Sequence, residues 1–177
     1  MCPLIIGIGG AHSGAGKTTV ACKILRRFTG WGAIKYTRNS LYSCIIDDIA
    51  VLSEAGKDTK KFLDAGAEKV LWIKSPFFQL PEVLSMAVPM LNYLQGILIE
   101  GNSAIQIIKP DIVLYVSGDK EKQKSGANKI IEMAHMIIFR KDPPSRIPDN
   151  IPSFHLYDTE SFLRSLKGFI EENRRIE

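Results

Sequence analysis

Gly14, Gly16, Lys17 and Thr18 are the residues whose types and spacing point most directly to chemistry. They lie within Gly9-Gly10-Ala11-His12-Ser13-Gly14-Ala15-Gly16-Lys17-Thr18-Thr19. Small residues let successive backbone N–H groups turn inward around an anion. A helix opening at the end of such a turn adds its own unsatisfied N–H groups and the positive end of its dipole. In that arrangement Lys17 reaches the β- and γ-phosphates of a nucleoside triphosphate, and the Thr18 hydroxyl serves Mg²⁺. The expected nucleotide contacts are therefore Gly10, Ser13, Gly14, Ala15, Gly16, Lys17, Thr18 and Thr19, with Lys17 also a catalytic group. The pattern G-x-x-x-x-G-K-[ST] departs at one place, because its first glycine falls on Ala11. The turn survives that exchange if Ala11 keeps φ below zero. The alternative is a glycine-rich turn that binds nothing.

A second stretch supplies a partner for the metal. Gly96-Ile97-Leu98-Ile99-Glu100-Gly101 reads as a buried strand with an acid at its C-terminal end. Open parallel sheets bind ligands just beyond those ends. A carboxylate there can hold Mg²⁺ directly or through water. Glu100 is thus expected as metal ligand and catalytic residue, the alternative being an acid that caps a turn. Asp47, beside Asp48 in Ile45-Ile46-Asp47-Asp48-Ile49, is a further candidate Mg²⁺ ligand. A helix start or exposed turn is the other reading of that pair. Lys35 ends a strand near where phosphates or a second substrate would lie. Phe139-Arg140-Lys141-Asp142 aligns with the Asn-Lys-x-Asp of many GTPases and keeps only its aspartate, so Asp142 is the candidate guanine contact.

Positioning these groups requires alternating elements. Leu4–Ile8 reads as a strand and Val20–Phe28 as a helix, with apolar residues at helical spacing. Strands follow at 32–37, 69–74, 96–100, 111–116, 136–139 and 154–157. Helices follow at 59–65, with Asp58 as N-cap, and at 80–94, with Pro89 a kink or break. A weaker helix spans 123–134, and Asp158 N-caps an amphipathic helix that closes the chain. Residues 38–55 form a long connection of poor pattern. This order predicts a three-layer α/β/α fold with a mostly parallel sheet, built as a single P-loop nucleotide-binding domain over residues 1–177.

Composition narrows the function classes. Hydrophobic content of 45% and charged content of 24% are ordinary for a globular chain of 177 residues. The net charge of +4 is scattered, with small clusters at 120–124 and 174–175, so no nucleic-acid partner is expected. Three cysteines without close spacing argue against a disulfide framework or a zinc site, and Cys22 is expected as a small buried residue. No apolar run has the length of a membrane span or the form of a signal peptide, so no membrane partner and a cytoplasmic location are expected.

Four segments in this order resemble the molybdopterin-guanine dinucleotide biosynthesis protein B family, P-loop proteins related to the signal-recognition-particle class of GTPases. They are Ala11–Thr19, Gly32–Thr37, Gly56-Lys57-Asp58-Thr59 running to Ala65-Gly66-Ala67, and Ile97–Gly101. Tyr36, Arg38 and Asn39 stand where that family tends to carry histidines, so the chain resembles a divergent member. The resemblance implies a homodimer that binds GTP with Mg²⁺ and hydrolyses it slowly. It also implies a partner, the guanylyltransferase that attaches GMP to molybdopterin. Gly14, Gly16, Lys17 and Thr18 carry over as phosphate and Mg²⁺ contacts, Glu100 as the strand-end acid, and Lys35 and Asp58 as motif residues. Two other functions fit the same residues. One is an ATP-dependent small-molecule kinase or ligase of the dethiobiotin synthetase kind. The other is a nucleotide-gated switch in maturation of another metalloenzyme.

Overall fold

The computed structural model describes residues 2–118, 126–144, 147 and 150–176. The basic cluster at 120–124 and the first residues of the helix expected from 123 lie outside them. Among the described residues the elements run β1 (Leu4–Gly10), α1 (Lys17–Arg27), β2 (Trp31–Arg38), β3 (Cys44–Ile46), α2 (Ile49–Leu52), α3 (Asp58–Asp64), β4 (Val70–Ser75) and α4 (Leu80–Ala87). They continue β5 (Gly96–Glu100), α5 (Asn102–Ile108), β6 (Ile112–Val116), α6 (Ala127–Glu132), β7 (Met136–Phe139), β8 (Ser153–His155) and α7 (Thr159–Ile176).

The strands form one sheet in the order β3-β4-β2-β5-β1-β6-β7-β8. All pairings are parallel except β3 with β4. Helices α1, α3 and α7 cover one face and α4, α5 and α6 the other, which makes the expected three layers. Coverage on both sides explains why β5 and β6 are wholly buried and read as unbroken aliphatic runs. Ile6 and Ile8 of β1 join Val20, Ile24, Leu114 and Phe162 in the core under α1 and α7. Ile97 and Ile99 of β5 face the opposite core, with Leu80 and Leu84 of α4. Packing is close where the strands begin: a Cβ on Gly96 would come within 2.6 Å of the Trp31 ring, so only glycine fits there.

Several elements differ from the sequence reading for identifiable reasons. The connection at 38–55 contains β3, an edge strand of three half-buried residues whose alternation is too short to register. It also contains α2, capped by Asp48, whose carboxylate accepts from the Ala50 N–H at 2.8 Å. Asp58 is the first residue of α3 rather than its N-cap, which is Lys57. Its carboxylate is turned instead toward two lysines. Pro89 ends α4 as expected, the chain passing into a 3₁₀ turn at Val88–Leu91. Asn102–Ile108, unassigned from sequence, is helical: Ala104 and Ile105 bury themselves in two different cores. No helix among the described residues is long and apolar enough to cross a membrane.

Candidate nucleotide-binding site

A cleft of about 940 Å³ opens beyond the carboxyl ends of β1, β2 and β5. Its floor is the loop between β1 and α1. Gly14 and Gly16 have φ of 83° and 109°, in the left-handed region that favours glycine. A Cβ on Gly14 would meet nothing within 4 Å, so that residue is glycine for its backbone conformation and not for want of room. Ala11 keeps φ outside the left-handed region, is buried, and donates its N–H to the Val116 carbonyl at 3.1 Å. The loop therefore tolerates alanine there, on the condition its sequence set. Gly10, Ser13, Gly14, Gly16, Lys17, Thr18 and Thr19 all line the cleft. Ala15 does not: its side chain is buried beneath the loop, and its N–H points at the His12 carbonyl, 3.4 Å away. Lys17 Nζ donates to the same carbonyl at 2.8 Å, which holds the ammonium against the loop.

Opposite the loop stands a chain of charged groups. Thr18 donates its hydroxyl to Glu100 Oε2 at 3.0 Å. The other carboxylate oxygen, Oε1, accepts from Lys35 Nζ at 2.6 Å, and Lys35 donates also to Asp58 Oδ2 at 2.8 Å. Asp58 Oδ1 in turn meets Lys61 at 3.0 Å. Sheet order makes this possible. β2 is hydrogen-bonded to β5, and Lys35 and Glu100 are direct register partners, so both side chains stand on one face. Glu100 is 3% exposed, yet each of its oxygens is bonded, which offsets the cost of burying the charge. Burial pulls the Lys35 ammonium down. The Glu100 charge and the hydrogen bonds to Asp58 and Glu100 outweigh it and hold its pKa above the ordinary lysine value. Burial likewise pushes Asp58 up, and its bonds to Lys35 and Lys61 more than reverse this, so its carboxyl sits below the ordinary range.

The donor set suits a hard cation. A Thr18 hydroxyl that spends its proton on Glu100 keeps its oxygen lone pairs for a metal, and oxygen ligands of this kind match Mg²⁺ with its retained waters. Asp47 is not part of this set. Strand β3 runs antiparallel to β4 at the outer edge of the sheet, so it carries Asp47 back toward the start of β4 and away from the cleft. There Asp47 pairs with Lys69 at 2.9 Å, and that hydrogen bond and charge hold its carboxyl below the ordinary range. Asp142 is exposed and outside the cleft wall; Arg140, two residues earlier, lines it instead.

Among the lining residues not assigned to the site from sequence, Asn102, Lys61 and Arg140 matter most to its geometry. Asn102 clamps the loop entrance, accepting from the Gly10 N–H at 2.9 Å and donating to the Gly10 carbonyl at 3.0 Å. Its place directly after Glu100-Gly101 was the available signal. Lys61, one helical turn beyond Asp58, carried the signal of an i,i+3 pair. Arg140 carried only its place in the imperfect Asn-Lys-x-Asp alignment, where Asp142 drew the assignment.

No protein-family model and no curated sequence matches the chain. Among solved structures it is similar to HypB from Helicobacter pylori in complex with nickel, at 14% identity and a TM-score of 0.61, covering 96% of this chain and 88% of that one. It is also similar to LpxK from Aquifex aeolicus in complex with ATP, at 15% identity and a TM-score of 0.49, covering 88% of this chain and 54% of that one. A third similar structure is a ParA family ATPase from Chlorobium tepidum TLS, at 15% identity and a TM-score of 0.46, covering 96% and 97%. The eight-stranded, mostly parallel sheet, with its glycine-rich loop between β1 and α1 and the HypB likeness, gives this chain the α/β fold of the P-loop NTPases.

Proposed function

We propose that the chain binds a nucleoside triphosphate with Mg²⁺ in the cleft and hydrolyses it slowly. The observation that carries this reading is the Thr18–Glu100 hydrogen bond, which joins the loop to the acid at the tip of β5 across 82 residues of sequence. The backbone N–H groups around Gly14–Thr19 cradle phosphate oxygens, and Lys17 leaves the His12 carbonyl to offset charge on the β- and γ-phosphates. Glu100 orients the Thr18 hydroxyl and any water on the metal. Mg²⁺, when bound, neutralises charge as the terminal phosphate leaves. Turnover is slow because the two acids among the described lining residues, Glu100 and Asp58, are both tied to Lys35 and neither is free to act as a base. Calorimetry of Mg²⁺–GTP and Mg²⁺–ATP binding, repeated with Lys17→Ala, tests the assignment; equal affinity in the two proteins removes it.

The resemblance of the four segments extends the proposal to a cellular role. The chain then serves as a homodimeric GTP-binding accessory protein in molybdenum-cofactor guanylylation, with the guanylyltransferase as its client. Exposed Leu41, Tyr42, Phe77 and Phe78 around the β3 edge offer apolar surface for such contacts. A specific observation favours a second reading. Lys35, Arg38 and Lys61 line the cleft beyond the loop, where an acceptor anion would meet the terminal phosphate of ATP, as in a kinase or ligase. A phosphorylated or ligated product formed in proportion to ATP consumed selects that reading. Nucleotide-dependent binding to the guanylyltransferase selects the first.

A further inference from the structure

The sheet order fixes which way a triphosphate must lie. Glu100 on β5 and Lys35 on β2 stand on one side of β1, and β6 and β7 stand on the other. The metal and the terminal phosphate belong with Glu100 and Thr18. The phosphate chain then runs over the loop, and its nucleoside end leaves toward β6 and β7.

Arg140 waits there. It is the first residue after β7, and it lines the cleft. Its guanidinium lies beside the loop: a Cβ on Gly16 would be 3.8 Å from Nη2. Side chains of Leu156 and Val116 come within 3.5 and 3.8 Å of the same point. Its Nε is buried and makes no hydrogen bond among the described residues. A buried N–H without an acceptor is costly, and in a ligand cleft the acceptor can come from the ligand. Asp142, the residue whose type suggested guanine, is exposed and does not line the cleft.

We propose that Arg140 reads the nucleobase and favours guanine over adenine. The proposal rests on the triphosphate reading above and adds its base specificity. A guanidinium is donor-only. Guanine offers it two adjacent acceptors, O6 and N7, in the spacing of a bidentate pair; adenine offers N7 and sets an amino donor where O6 would be. One donor then faces another, and the site rejects adenine by leaving a buried N–H unpaired.

The test compares GTP, ITP and ATP, each with Mg²⁺, by calorimetry on the full chain. Inosine keeps O6 and N7 and lacks the 2-amino group that an aspartate would read. Wild type should bind GTP and ITP alike and both about tenfold tighter than ATP, the discrimination of one good bidentate pair. Arg140→Ala and Arg140→Gln should each weaken GTP and ITP about tenfold and leave ATP within about twofold, closing the gap. Unchanged circular dichroism and thermal midpoint establish that the variants are folded, and either folded variant suffices. A wild type without preference between GTP and ATP overturns the proposal. So does an equal loss for all three nucleotides, which would place Arg140 on the α-phosphate. A wild type that binds ITP as weakly as ATP assigns the reading to the 2-amino group and overturns it too. Should wild type bind no triphosphate at all, the function proposed above falls with it, whereas binding without base preference defeats this inference alone.

Discussion

The two ends of the cleft are built differently. At the end beside β2 and β5, Thr18, Glu100, Lys35, Asp58 and Lys61 form one continuous chain of hydrogen bonds and ion pairs across four elements. At the end beside β6 and β7, Arg140 follows the tip of one strand, and its Nε makes no hydrogen bond among the described residues. The contrast follows from what each end would handle. Several negative charges and a divalent cation require donors and acceptors fixed beforehand, because reorganising them during the reaction costs barrier height. A nucleobase is neutral and flat, and one planar fork suffices to tell its edges apart. Preorganisation at the first end has a structural cost, the burial of Glu100, which Lys35 and Thr18 offset.

That contrast can be broken most severely at Lys35. Lys35→Met leaves Glu100 buried with Thr18 as its remaining partner, and should lower folding stability by about 3 kcal/mol, as for one half of a buried pair. Urea denaturation reads the loss, and a change under about 0.5 kcal/mol would show the network to be ornamental. Next in size is Glu100→Gln, which keeps an acceptor for Thr18 and removes the charge. Hydrolysis should fall on the order of 100-fold, while Mg²⁺–nucleotide affinity shifts only a few-fold. Equal turnover would reduce Glu100 to a structural acid. Lys17→Ala should weaken triphosphate binding by roughly 10- to 100-fold with an unchanged thermal midpoint, the worth of a charge-assisted contact on an exposed loop. Asp142→Ala should leave the GTP-to-ATP affinity ratio within about twofold, inside the range of surface substitutions. A larger change would return the base-reading role from Arg140 to the residue the sequence suggested.

A pH series sharpens the same comparison. Asp58 has its pKa depressed on folding, so its contribution is present above its unfolded value, about 4, and is lost as pH falls through the folded value. Lys35 has its pKa raised, so its contribution is full below its unfolded value, about 10.4, and is lost as pH rises through the folded one. Stability from the network is therefore flat across neutral pH and falls at both extremes. Asp58→Asn should flatten the acid limb of the urea midpoint against pH. A variant as acid-sensitive as wild type would remove Asp58 from the account.

How far these features were legible follows from their chemistry. The loop and its lysine were readable because backbone conformation and local order make the site: glycines where φ is positive, then a helix start. Glu100 was readable because an acid ending an aliphatic run is itself a local pattern. Asp47 misled, since an acid next to apolar residues looks the same on a central strand as on an antiparallel edge strand running away from the cleft. Asn102 and Lys61 were half-visible by adjacency and helical spacing, and Arg140 was visible only as the middle of an imperfect motif.

The sequence alone determined the alternation of strands and helices, the glycine-rich turn and the identity of its lysine and threonine, because hydrophobic period and backbone conformation act over a few residues. Only the tertiary structure decided that β2 lies against β5, which pairs Lys35 with Glu100, and that β7 lies two strands beyond β1 on the other side, which brings Arg140 rather than Asp142 to the cleft. Strand order is a property of how whole faces pack, and no local pattern of residues encodes which buried strand will be neighbour to which.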